Sequence, residues 1–148
     1  METFFTVKKL LAFASCALAL SLSVSATTGY LTDFGKAEQA AQTEKKLLFV
    51  IYGREGCEYC AATKAMIKAH QIDVTADKYV CVELNCDDPK VAADFEKRYG
   101  SGAFGDTLPF VVVADANGRA LARSGGPKDA GQWAKILQAA QRKVAAVH

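Results

Sequence analysis

Two cysteines three positions apart, Cys57 and Cys60 in "EGCEYC", follow directly on the apolar run "LLFVIY" and are the residues best suited to chemistry. That spacing serves a redox pair, half of a metal site or a structural staple. Exchange between thiols and disulfides needs an exposed thiolate. A helix N-terminus favours one, because its free N–H groups carry partial positive charge. The pattern after Cys57 is helical, so Cys57 stands at such a terminus as the candidate nucleophile. Cys60, one turn on, is the candidate resolving thiol. Zinc would want about four nitrogen or sulfur ligands, and neither His70 nor His148 lies at ligand spacing from the pair. A permanent bridge over so short a loop would add little stability.

The residues between and around the cysteines tune them. Glu58 places a carboxylate at the helix start and Glu55 is close by. Negative charge there opposes the thiolate and makes the couple less oxidising, since strong oxidants owe their potential to a stabilised reduced form. Tyr59 offers an aromatic contact to a partner. Two further cysteines lie in "KYVCVELNC". From Cys81 to Cys86 an extended strand spans roughly 16 Å, while a disulfide needs Cα atoms within about 7 Å. The expectation is two free, mostly buried thiols, since cysteine packs as a small apolar residue; the alternatives are a bridge, which needs the strand to stop near Glu83 and the chain to turn back, and a second redox pair exchanging with Cys57–Cys60.

The elements that must position these groups follow from periodicity and punctuation. "LTDFGKAEQAAQTEKK" is helical, capped by Thr32 or Asp33, with Phe34, Ala37, Ala40 and Ala41 on one face. Residues 47–52 are continuously apolar, as in a strand buried on both faces. From Cys57 to about Gln71 a helix is expected to bury Ala61, Ala65, Met66 and Ala69. Residues 78–86 form a second strand, with Cys81, Glu83 and Asn85 on one face. "DDPKVAADFEKRYG" is a helix capped by Asp87 or Asp88, with Pro89 in its first turn and Gly100 at its end. Residues 101–107 are a loop. "LPFVVVADANGRALAR" is a hairpin in which Asn117-Gly118 signals a two-residue primed turn. A final amphipathic helix turns Trp133, Ile136, Leu137 and Ala140 inward. The order α-β-α-β-α-β-β-α implies an α/β fold with a central mixed sheet and helices on both faces.

The chain of 148 residues is about half apolar and carries a net charge of +2. It has no basic block, so nothing points to nucleic acid. Its first 26 residues read as a cleaved signal peptide: Lys8 and Lys9, then apolar or small residues 10–24, then "VSA". That run, at ~15 residues, is short of the ~20 a spanning helix needs. An uncleaved anchor is the alternative. A lipoprotein cut before Cys16 would want leucine where Phe13 stands. The domain is then 27–148, exported to a periplasm where a disulfide can persist.

Cys-x-x-Cys at a strand-to-helix junction, in this element order, resembles the thioredoxin fold. "LLFVIYGREGCEYC" resembles the family's central strand and active-site helix, "VELNCDDP" its next strand, "TLPF" its cis-proline loop and "VVVADANGRAL" its last hairpin. The resemblance covers about residues 28 to 145. It implies that Leu108 and Pro109 face the cysteines, with the Leu108 backbone pairing an extended substrate strand. The chain departs from the family where Trp-Cys-Gly-Pro-Cys is Gly56-Cys57-Glu58-Tyr59-Cys60, and where a buried aspartate is Ile51. A lysine on the next strand is Glu83, which becomes a candidate proton acceptor for Cys60.

The function this implies is an exported thiol–disulfide oxidoreductase, reductase or isomerase rather than strong oxidase. It would act on cysteine-containing periplasmic proteins and exchange electrons with a membrane thiol–disulfide donor or acceptor. It would need no cofactor and no metal, and would work as a monomer. The alternatives are a non-catalytic binding module, using Tyr59 and loop 101–107, and a metal-handling protein using Cys57 and Cys60.

Overall fold

The computed structural model describes residues 29–100 and 107–146. The expected signal peptide, Cys16 and most of the 101–107 loop lie outside them. Helix α1 (Phe34–Glu44) leads into strand β1 (Leu47–Gly53), helix α2 (Glu58–Lys68) and strand β2 (Tyr79–Asn85). Helix α3 (Pro89–Tyr99), strands β3 (Phe110–Ala114) and β4 (Ala120–Gly125) and helix α4 (Ala130–Ala145) follow.

The sheet order is β2-β1-β3-β4. β1 runs parallel to β2 and antiparallel to β3, and β3 is antiparallel to β4. The parallel step spans α2, a crossover long enough to carry a helix back over the sheet. Because strand side chains alternate, each face has its own core. Leu48, Val50, Val82, Phe110 and Val112 pack with Ala37 and Ala41 of α1 and Phe95 and Tyr99 of α3. Phe49, Ile51, Val111 and Val113 pack with Met66 and Ile67 of α2 and Trp133, Leu137 and Ala140 of α4. Fully burying side chains of this kind contributes about 1.5–3 kcal/mol each. β1 is central to both cores, which is why its sequence is continuously apolar.

Three of the four helix starts are built by aspartates. Asp33 accepts from the Lys36 N–H at 2.8 Å, and Asp88 from Lys90 and Val91. Asp129 and Gln132 form a reciprocal capping box on α4.

Two expectations are corrected. In α2, Ala61, Ala65 and Ala69 are exposed and Met66 is half-buried, while Cys60 and Thr63 are the buried positions. Seating Cys60 against β1 fixes the helix rotation, so the alanines turn outward. In the hairpin, Gly118 has φ +76° but Asn117 stays in negative φ, so the turn is not primed. The Asp115 carboxylate decides this: it accepts from the Asn117 and Arg119 N–H groups, and Gly118 N–H closes back on the Asp115 carbonyl at 2.9 Å.

Candidate active site

β1 delivers the chain to one end of the sheet, and residues 54–56 turn it into α2. Gly56 sits at φ +75°, a conformation that costs glycine nothing sterically. Cys57 is the N-cap of α2, with extended backbone, and its sulfur accepts from the Cys60 N–H at 3.2 Å. The two sulfurs are bonded to each other, with Cα atoms 5.3 Å apart. Cys57 is half-exposed, whereas Cys60 is 2 % exposed. The disulfide therefore has one face that a partner can reach and one sulfur closed off by protein.

Gly53 is the reason the inner sulfur can sit where it does. A Cβ at that position would lie 2.5 Å from Cys60 Sγ. A glycine inside a strand often marks such a close approach, so the glycine ending "LLFVIYG" is the signal in the sequence for this role.

Phe110 pairs with Tyr52, the residue before Gly53, so Pro109 and Leu108 continue β3 backward to the same end of the sheet as the disulfide. The Leu108–Pro109 bond is cis. Pro109 is buried, its carbonyl accepts from Gly126 N–H at 2.9 Å, and Leu108 is half-buried. Tyr59 is 55 % exposed, the one large hydrophobic side chain so exposed among the described residues. Glu55 and Glu58 flank it and are exposed. Arg54 pairs loosely with Asp87 at 3.7 Å.

Glu83 pairs in register with Ile51 and shares the α2-facing side of β2 with Cys81. Its carboxylate accepts from Lys64 Nζ at 2.6 Å, and both side chains are about one-third exposed. Lys64 also lies over the Tyr30 ring, 5.9 Å from its centroid. The Tyr30 hydroxyl is pushed up to about 12, first by burial and then by the neighbouring Cys81 and Glu83. Sequence reasoning missed Lys64. Its only signal is its place four residues after Cys60, one turn along the same helix.

Cys81 and Cys86 are both free and half-buried. The strand runs straight through Asn85, which keeps the two apart. Burial pushes the Cys81 thiol up to about 11. The described residues hold no group of three or more His, Cys, Asp or Glu arranged for a metal. None of their helices is long and apolar enough to cross a membrane.

A disulfide-bonded Cys-x-x-Cys at the head of a helix, fed by the central strand of a mixed sheet between two helical layers, defines a thioredoxin-fold protein fitted for redox chemistry. A family model described as a thioredoxin-like domain matches residues 34–141, and the chain belongs to that family. No curated protein matches it by sequence. Among solved structures it is similar to the germline-specific thioredoxin Deadhead of Drosophila melanogaster, with a TM-score of 0.55 at 16% identity over 74% of this chain and 96% of that one. It is also similar to a mutant thioredoxin from Halobacterium salinarum, with a TM-score of 0.50 at 13% identity over 74% and 86%. A thioredoxin-fold protein from Helicobacter pylori gives a TM-score of 0.50 at 17% identity over 63% and 67%. At these identities the likeness is one of fold.

Proposed function

We propose that the protein is an exported thiol–disulfide oxidoreductase that reduces or isomerises disulfides in periplasmic proteins. The observation that carries this reading is the asymmetry of the disulfide, half-exposed at Cys57 and closed at Cys60.

In the reducing direction the Cys57 thiolate attacks one sulfur of a substrate disulfide. The substrate S–S bond breaks, and its other sulfur leaves as a thiolate and takes a proton from water. A mixed disulfide now joins Cys57 to the substrate. Cys60 loses its proton and attacks Cys57 Sγ, forming the Cys57–Cys60 bond and releasing the second substrate thiol. The substrate gains two electrons and the protein dithiol loses them. A membrane thiol–disulfide donor then restores the dithiol. Glu83 is the candidate acceptor for the Cys60 proton, and Glu58 opposes the Cys57 thiolate, which favours the reducing direction. The Leu108 backbone, set by Pro109, pairs with the extended substrate segment, and Tyr59 supplies an apolar contact beside it. No cofactor takes part, and the protein acts as a monomer.

Trapping tests this directly. Cys60→Ser leaves the mixed disulfide without its resolving thiol, so it should accumulate adducts through Cys57 when expressed with its own leader. Cys57→Ser should accumulate none. Equal adducts in both variants, or none in either, would refute the assignment.

A further inference from the structure

The stretch that carries the disulfide also carries its own charge and ring. Between residues 54 and 60 there are two exposed carboxylates, Glu55 and Glu58, and the exposed ring of Tyr59. Neither glutamate has an ion-pair or hydrogen-bond partner among the described residues. The one cation in the stretch, Arg54, is paired with Asp87. The next cation along the helix, Lys64, is held by Glu83. The exposed stretch around Cys57 therefore carries two unpaired carboxylates and one ring face, beside a single loosely paired cation.

We infer that this centre prefers cysteines flanked by lysine or arginine. The inference rests on the thiol–disulfide exchange proposed above and names the substrate class for it. An ammonium or guanidinium beside the substrate cysteine gains attraction from Glu55 and Glu58 and can lie over the Tyr59 ring, where the aromatic quadrupole attracts cations. An acidic flank meets like charge at the same place. Exposed charges act over about a Debye length, ~8 Å at physiological salt, which spans the residues next to the attacked sulfur. The discrimination falls mainly on the approach rate, because complementary charge steers encounter more than it tightens contact. Tyr59 adds a part that salt does not remove, since ring and cation meet in contact.

The test is stopped-flow exchange between the reduced full-length protein and three synthetic peptide disulfides of one sequence, with lysine, serine or glutamate on both sides of the cysteine. The lysine peptide should react about five-fold faster than the glutamate peptide at low ionic strength, the size expected from exposed ion pairs acting together. That ratio should fall toward one in high salt and in the Glu55→Gln/Glu58→Gln double variant. Taking the ratio within each variant cancels any change those substitutions make to Cys57 itself. In Tyr59→Leu the part of the ratio that survives high salt should vanish. Equal rates for the lysine and glutamate peptides, with normal exchange on the serine peptide, would overturn the preference and leave the exchange activity standing. No exchange with any of the three would overturn both.

Discussion

Gly53→Ala places new atoms directly against the inner sulfur of the disulfide. The added Cβ would stand 2.5 Å from Cys60 Sγ, where ordinary contact begins at 3.4 Å. Sulfur or strand must yield by roughly 1 Å, the kind of overpacking that costs about 1–3 kcal/mol. Gly53 is not in positive φ, so alanine introduces the contact and no backbone strain with it. The two redox forms differ in how they meet this. In the disulfide the sulfur is tied to Cys57 and cannot turn away. In the dithiol it can move to another staggered rotamer. If reduction relieves about 1–2 kcal/mol, the couple becomes more oxidising by roughly 20–45 mV, at about 30 mV per 1.4 kcal/mol for two electrons. The assay is equilibration in glutathione buffers, read by the fraction of alkylated dithiol, beside urea unfolding of each form. The oxidised protein should lose more stability than the reduced one, by the amount the potential reports. An unchanged potential with equal loss in both forms would refute the claim that the Cys60 sulfur is seated on Gly53.

Three further outcomes follow from particular contacts. Burial raises the Cys81 thiol from 9.0 to about 11, so the unfolded thiol ionises first as pH rises. Its stabilisation is complete below about pH 9 and is lost between about pH 9 and 11, by up to about 2–3 kcal/mol; denaturant unfolding across that range should show a smaller loss in Cys81→Ala than in the wild type, the remainder coming from tyrosines such as Tyr30 whose hydroxyls burial also pushes up. Glu83→Gln should cost at most about 1 kcal/mol of stability, as its partner Lys64 is partly exposed, yet slow resolution of the mixed disulfide by about tenfold or more and flatten its pH profile. A pH profile unchanged from wild type would leave the Lys64 ion pair as the only role of Glu83. Asp129→Ala removes the α4 capping box and should lower stability by about 1 kcal/mol, read as a drop in Tm in both redox forms.

Much of the fold is legible in the sequence because its signals are local. The run 47–52 reads as a strand covered on both faces, and the candidate caps Thr32 or Asp33 and Asp87 or Asp88 narrow to Asp33 and Asp88. The change in periodicity alone places Cys57 and Cys60 at a helix start. The features that escape such a reading depend on tertiary contact. Alanine is compatible with either face of a helix, so the inward face of α2 is set by where Cys60 must sit, not by Ala61 or Ala65. The turn at Asn117-Gly118 is decided by the Asp115 carboxylate, which local turn preference does not weigh. Lys64 and Glu83 are 19 residues apart, and only the packing of β2 beside α2's side of the sheet makes them a pair. Gly53 is readable in principle, but its meaning lies in the Cys60 sulfur, which reaches it only through the fold.

In the function proposed above, Cys57 and Cys60 form a couple that cycles in the reducing direction. The measurement that tests it most directly is the reduction potential of that couple, by glutathione equilibration of a Cys81→Ala/Cys86→Ala variant. A reversible transition between about −230 and −270 mV would bear out a reducing dithiol. A value near about −120 mV, that of a strong periplasmic oxidant, or a bond that no buffer in the series opens, would contradict it.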